Sequence, residues 1–361
     1  MSDTSTYDGI RPVSDAHRFN EEALLAWLKS HIPGLDGKLQ VDMFKGGQSN
    51  PTYRLSLGNR QFVMRAKPGP AAKLLPSAHA IEREFKVMDA LSQTNVPVAK
   101  MHALCEDESV IGRAFFIMDF VQGRVLWDQS LPGMTPAQRA AIYDEMNRVM
   151  SALHSVNPDE IGLSDYGRPG NYIERQIARW SKQYRASITE PVPAMDQLMD
   201  WLPANLPASA QLPRISVVHG DYRMDNMIFH PTEPKVLAVL DWELSTLGHP
   251  LADFSYHCMS WHIEPGTFRG IGGLNLAELG IPSEIDYIRR YCERTGFCSV
   301  DTLVNDWNFY LAYNLFRMSA ILQGIAKRIE EGTASSDQAK RSAAGARPMA
   351  ELAWKLATSK A

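Results

Sequence analysis

Three side chains in the second half of the chain are of the types that phosphoryl transfer requires: Asp221, Asn226 and Asp241. Such transfer asks little covalent help of a protein and much positioning and charge neutralisation. One carboxylate must accept the proton of an attacking hydroxyl. A second carboxylate and an amide oxygen must hold Mg²⁺, a hard cation that takes oxygen ligands and keeps waters or substrate phosphates in its shell. Each of the three stands at the edge of an apolar run, where a loop can converge. His219 reads as a loop histidine bonded to backbone rather than a proton carrier. Asp225 reads as a loop cap or a solvated acid. Arg223 has two readings: it stabilises charge on the phosphoryl group in the transition state, or it pairs with Asp225 or another loop acid.

The intervals sharpen this. His219, Asp221 and Asn226 keep the spacing of the protein-kinase His-Arg-Asp and its following Asn, with Gly220 in place of the arginine. Asp241-Trp242-Glu243 stands where Asp-Phe-Gly would. With Gly248 and Asp253 added, the set resembles the aminoglycoside phosphotransferase family, which has the protein-kinase-like fold and phosphorylates small hydroxylated molecules. The resemblance implies that Asp221 is the catalytic base and that Asn226 and Asp241 are the Mg²⁺ ligands. It implies ATP as co-substrate, and Asp253 as the helix residue that braces the loop from behind. His249, Asp253 and His257 also recur every four residues. The bracing role is preferred there to a metal site, because i to i+8 spans two helical turns.

Neither G-x-x-x-x-G-K-[ST] nor G-x-G-x-x-G occurs. Lys45-Gly46-Gly47-Gln48-Ser49-Asn50 is instead similar to the family's phosphate-covering hairpin. Glycine permits close backbone approach, and Ser49 and Asn50 can donate to phosphate oxygens. In the next strand-like run Arg65 and Lys67 point the same way. The resemblance assigns Arg65 to the α- and β-phosphates, with Lys67 as competitor. Glu84, ahead of Glu82, is the expected partner acid, and arginine makes that pair potentially bidentate. Phe115–Phe120 looks like the strand entering the hinge, so that the backbone of Asp119, Phe120 and Val121 would read adenine.

Around these residues the pattern predicts a small strand-rich lobe followed by a larger helical lobe. Residues 1–18 read as a flexible tail. Asn20 fits a helix N-cap with Glu21 and Glu22 in the first turn. Strands are expected over Leu39–Phe44, Thr52–Leu57 and Gln61–Arg65, with turns at Gly46-Gly47 and Gly58-Asn59. A helical stripe through Ile81, Phe85, Met88 and Leu91 begins near Ser77, and Ala114–Val121 reads as a buried strand. Beyond Thr135 the chain is helical except where Ile215–Val218 and Val236–Leu240 bracket the catalytic loop. The expected fold is α+β and protein-kinase-like. Residues 19–120 form the ATP-binding N-lobe, and residues 121–361 form the C-lobe with the catalytic loop and acceptor site.

For the acceptor, Leu74–His79 and Tyr172–Trp180 look like one subgroup of the family, the kinase domains associated with acyl-CoA dehydrogenases. That implies a 4-hydroxyacyl-CoA acceptor. From Trp261 onward there are 12 Lys/Arg and 11 Asp/Glu, so the acidic excess that a polycationic aminoglycoside needs is missing. Arg175, Arg179 and Lys182 share one helical face that could meet CoA phosphates, or simply be solvated. Ile173, Ile177, Trp180 and Tyr184 share another face, expected in the core. Aminoglycoside, choline or homoserine-type acceptors are the alternatives, and a catalytically inactive nucleotide-binding module is an alternative of another class. A protein kinase is disfavoured by the missing Gly-rich loop. The net charge of −4 and the lack of a basic block argue against nucleic acid. No apolar run reaches membrane-span length. The polar start and four scattered cysteines point to a reducing cytoplasm.

Overall fold

The computed structural model describes residues 9–45, 50–69, 80–168, 170–212, 214–334 and 336–359. Ser49 with Gly46–Gln48, the Leu74–His79 segment and residues 1–8 lie outside the described residues. Two compact units are present. The first holds the chain up to Trp127 with Asp159–Tyr166 and Asp225–Ser245. The second holds Asp128–Pro158, Gly167–Met224 and the chain from Thr246 onward.

The first unit is built on an antiparallel sheet of β1 (Ile10–Pro12), β2 (Leu39–Phe44), β3 (Thr52–Leu57), β4 (Arg60–Ala66), β5 (Met101–Cys105) and β6 (Phe115–Asp119), in the order β1-β2-β3-β4-β6-β5. Alternation along β3 buries Tyr53, Leu55 and Leu57. They share a core with Leu24 and Leu28 of α1 (Glu21–His31). That helix starts where Asn20 accepts from the Ala23 N–H at 3.0 Å. The next helix, α2 (Ile81–Leu91), buries Ile81, Val87, Met88, Leu91 and, unusually, Glu84. Register places Arg65 of β4 opposite Thr52 and Phe116.

Helices dominate the rest: α3 (Pro136–Ser155), α4 (Tyr172–Ser187), α5 (Pro193–Ala204), α6 (Pro250–Cys258), α7 (Leu276–Leu279), α8 (Glu284–Thr295), α9 (Val300–Glu330), α10 (Asp337–Ala344) and α11 (Ala346–Thr358). All belong to the second unit. α3 opens on a capping box, Thr135 with Gln138, and Pro136 at its first position. α9 is buried on every side from Phe309 to Phe316, as a helix through a core must be. Asn314 donates to Ala252 O at 3.0 Å and Ser255 Oγ at 2.8 Å, which fixes α9 against α6.

Four short strands complete the chain: β7 (Ser216–Val218), β8 (Met227–Phe229), β9 (Val236–Val239) and β10 (Thr246–Gly248). β7 pairs with β10 in the second unit, and β8 with β9 in the first. The two runs expected to bracket the catalytic loop therefore each pair with another strand, β7 with β10 and β9 with β8.

The sequence reading needs correction at several points. Ile10–Pro12 is not tail but an edge strand, with Ile10 opposite Phe44 and Pro12 opposite Asp42. Proline, which lacks a donor, is tolerated at such an edge. β5 and β8 were not expected; neither Met101–Cys105 nor Met227–Phe229 is long or rich in β-branched residues. The buried strand is also shorter than Ala114–Val121, because its last residues turn away from the sheet after Asp119.

Beyond β6, Arg124 exchanges two backbone hydrogen bonds of 2.9 Å with Phe229. Gly123 makes this approach possible, since a Cβ there would lie 2.3 Å from Phe229 O and 2.4 Å from Ile228 Cγ2. Gly123→Ala should therefore lower the unfolding free energy by about 1–3 kcal/mol, the usual range for overpacking. Chemical denaturation followed by tryptophan fluorescence measures this, and an unchanged midpoint would show that the segment yields without cost.

Candidate active site

In the second unit the chain leaves β7 through His219-Gly220-Asp221. Gly220 has φ +82°, a left-handed conformation in which glycine is at ease. The turn aims two successive N–H groups at one carboxylate. His219 N donates to Asp253 Oδ2 at 2.7 Å, and Gly220 N donates to Asp253 Oδ1 at 2.9 Å. Asp253 sits in the first turn of α6 and is buried. Burial works against its charge, but His154 and the His219 amide outweigh it and hold the carboxyl below the ordinary aspartate range. His154 Nε2 lies 3.2 Å from Asp253 Oδ2, and its Nδ1 lies 2.7 Å from Tyr291 Oη.

His219 is fully buried, and its Nδ1 accepts the Asp221 N–H at 3.2 Å. A ring so placed shapes the loop. Asp221 stays partly open, with 17% of its side chain exposed. Arg223 Nη2 stands 3.0 Å from its Oδ2, and Tyr256 of α6 donates to its Oδ1 at 2.5 Å. Arg223 thus pairs with Asp221 itself. Arg317 of α9 donates to Gly220 O at 2.8 Å. His249 and His257 meet Ser209 O and Tyr287 Oη, and burial depresses both to about 4. They make no metal site with Asp253.

A cavity of about 710 Å³ lies within the first unit, lined by Arg65, Glu84, Asn226, Asp241 and the segment from Met118 to Val125. Arg65 is its electrostatic centre. Its Nε lies 2.9 Å from Glu84 Oε2, and its Nη2 lies 3.2 Å from Asp241 Oδ1 and 3.3 Å from Glu243 Oε2. Lys67 instead pairs with Glu82. Burial, with Asp241 and Glu243 nearby, pushes the Glu84 carboxyl up to about 7, against the pull of Arg65 and the Asn50 amide. Asn50 is fully buried and gives its Nδ2 to Glu84 Oε1 at 3.0 Å. That amide, expected on a phosphate, supports the acid that holds Arg65.

Leu240 N donates to Asn226 O at 2.8 Å, which sets Asn226 beside the strand end that carries Asp241. Asp241 itself has φ +65°, uncommon for a residue with a Cβ. An amide oxygen and a carboxylate suit Mg²⁺, which fills its shell with waters and phosphates. Among the described residues no group of three His, Cys, Asp or Glu could hold a metal by itself. At the hinge, Asp119 N donates to Lys100 O at 2.9 Å and Phe120 N to Gln61 O at 3.4 Å. Of the backbone groups expected to read adenine, the N–H groups of Asp119 and Phe120 thus already have partners. Asp119 Oδ1 takes His102 Nε2 at 2.6 Å, and Phe120 stacks on Phe44 with centroids 6.3 Å apart.

On α4, Ile173, Ile177, Trp180 and Tyr184 are buried as expected, while Arg179 and Lys182 are exposed. Arg175 is half-buried and donates to Arg168 O at 2.8 Å. The sequence reading missed Tyr256 and Arg317. Tyr256 had one signal, its position three residues after Asp253 on the same helix; Arg317 had none.

Residues 41–282 match the model of the phosphotransferase enzyme family. A crystal structure from Ralstonia eutropha, of a candidate aminoglycoside phosphotransferase, is 62% identical, with a TM-score of 0.87 over 94% of this chain and 98% of that one. Acyl-CoA dehydrogenase family member 10 of Mus musculus is 46% identical over 96% of this chain but only 32% of its own length. The chain spans between about a third and just under half of the curated relatives it matches. Choline kinase from Cryptosporidium parvum, at 13% identity, shares the fold with a TM-score of 0.63 over 92% of this chain and 95% of that one. The fold is thus kinase-like, a strand-rich unit and a helical one. Among the described residues no helix is long and apolar enough to cross a membrane.

Because the folded Asp253 is held below its ordinary pKa, the stability it supplies is complete above about pH 4 and drains as pH falls through the lowered value. Asp253→Asn should remove that acid-side slope and cost about 1–3 kcal/mol at neutral pH, the cost of a weakened buried acceptor. Denaturation midpoints between pH 3 and 7 test it; parallel profiles for both proteins would refute it.

Proposed function

The chain belongs to the phosphotransferase enzyme family, and on that premise we propose that it transfers the γ-phosphate of Mg-ATP to the hydroxyl of a 4-hydroxyacyl-CoA. The observation that carries the kinase part is Arg65, held by Glu84 and Asp241 inside a cavity large enough for a nucleotide. When bound, Mg-ATP supplies the electrophilic phosphorus and a divalent charge that neutralises its phosphates. Arg65 contacts the α- and β-phosphates through a planar fork that Glu84 keeps from rotating. Asn226 and Asp241 hold the metal. Adenine is read by backbone from Val121 onward, since the Asp119 and Phe120 donors are committed. Ser49 donates to a phosphate oxygen.

Asp221 accepts the proton of the acceptor hydroxyl, and Arg223 stabilises charge on the transferring group. Asn226 follows Asp221 by five positions. At about 3.6 Å per residue the tether between base and metal ligand is at most about 18 Å, so one loop governs both.

Three things support the CoA acceptor. The curated relatives that contain this segment carry acyl-CoA dehydrogenase in their names. Charge is balanced from Trp261 onward. Arg179 and Lys182 are exposed on the outer face of α4, with Arg175 half-buried beside them. Binding energy from the CoA handle would help position the hydroxyl against Asp221. A second reading, an aminoglycoside acceptor, is favoured by the description of the Ralstonia eutropha protein.

Asp221→Asn should keep nucleotide binding and cut turnover by about 10²-fold or more; near-normal turnover would remove Asp221 as base. Arg65→Met should raise the KM for ATP more than Lys67→Met does, and the reverse order would move the phosphate role to Lys67. ADP release with 4-hydroxyacyl-CoA, the free hydroxy acid, choline and kanamycin separates the acceptors. The thioester should be fastest, and Arg179→Glu should slow it selectively. Faster release with kanamycin than with any hydroxyacyl-CoA would overturn the acceptor while leaving the kinase.

A further inference from the structure

The inference concerns how Asp221 is held, and it rests on the reading of that residue as base. Both of its carboxylate oxygens are engaged, Oδ1 by the Tyr256 phenol and Oδ2 by Arg223. An ionised carboxylate has about four lone-pair sites, so these two partners fix its plane and still leave room for an acceptor hydroxyl. Tyr256 lies one turn beyond Asp253 on α6. The same short helix thus holds the backbone that enters the loop and the side chain at its exposed end.

Tyr256 is itself tightly placed. It is 5% exposed, and the Arg317 guanidinium lies 5.1 Å from its ring centroid while donating to Gly220 O. A buried phenol needs a partner, and the partner of this hydroxyl is the proposed base. We propose that Tyr256 is a positioning residue for Asp221, fixing the orientation of the carboxylate for proton acceptance.

The chemistry sets the direction of the effect. A donor to the charged form of a carboxyl lowers its pKa, so removing the phenol raises it. Burial, then the charge of Asp221, keeps the phenol far above its ordinary value, so it remains a donor throughout the working range. The other groups facing this site are Arg223 and His219 on the loop and Arg317 on α9. All three persist when only the phenol is removed, so a shift isolates its contribution.

The test uses the full chain labelled with ¹³C-aspartate. Infrared titration follows the Asp221 carboxylate, identified by its loss in Asp221→Asn. In Tyr256→Phe the midpoint should rise by about one pH unit, the scale of a charge-assisted hydrogen bond. With Mg-ATP and a 4-hydroxyacyl-CoA, kcat should fall roughly tenfold and its acidic limb move up with the titration, while the KM for ATP holds. Difluorotyrosine incorporated at position 256 is nearly isosteric and a stronger donor; it should move the midpoint down, and it serves if Tyr256→Phe does not fold. A midpoint unmoved within about 0.2 unit in either protein overturns the inference, since a merely structural tyrosine would leave the pKa in place. If Asp221→Asn keeps near-normal turnover, the reading of the base falls and this inference with it. If Asp221→Asn is inactive and the midpoint does not move, only the inference falls.

Discussion

The buried carboxylate of Asp253 accepts two consecutive backbone N–H groups, from His219 and Gly220, and meets His154 as well. A charge in such a place is tolerable only when fully partnered, because its desolvation costs several kcal/mol. The converse also holds: the loop has its shape because those two amides have nowhere else to go. Gly220 supplies the backbone angle, and α6 supplies the fixed end. Asn314 then anchors α6 to α9, the longest helix of the described chain. The orientation of Asp221 therefore depends on a line of polar contacts reaching from α9 to the loop, most of it buried.

The cavity of the first unit is organised on a second buried acid, Glu84, and the logic is inverted. Asp253 is kept charged by donors, whereas burial lifts Glu84 toward neutrality and Arg65 and Asn50 draw it back. Asp253 fixes backbone. Glu84 fixes a side chain that lines the cavity. The difference suits their settings, since a loop needs one shape and the arginine proposed for phosphate binding needs one direction.

The candidate site was legible in the sequence where function requires fixed residue types at short intervals. Asp221, Asn226 and Asp241 stand out because their residue types occur at the intervals of a known motif. Arg65 against Lys67, and Glu84 against Glu82, were harder. Arg65 and Lys67 share a face because they are two apart on a strand, so alternation left that pair open, whereas Glu82 and Glu84 lie on different sides of a helix and the burial of Glu84 separates them. Tyr256 and Arg317 act on the loop from 35 and 97 residues away, a distance at which a one-dimensional pattern carries no signal. The main strands and helices followed from alternation and capping. The failures were three- to five-residue strands, where pairing with a neighbour, rather than intrinsic preference, creates the element.

Arg65 stands among three carboxylates, those of Glu84, Asp241 and Glu243. With all three ionised, one positive charge faces three negative ones. Arg65 then behaves as a resident counter-ion, occupying the Asp241 oxygen that a divalent cation would claim. A divalent cation held there would compete with the guanidinium for that oxygen. The cavity would exchange partners on loading, and its unliganded form would not carry the full self-repulsion of its acids.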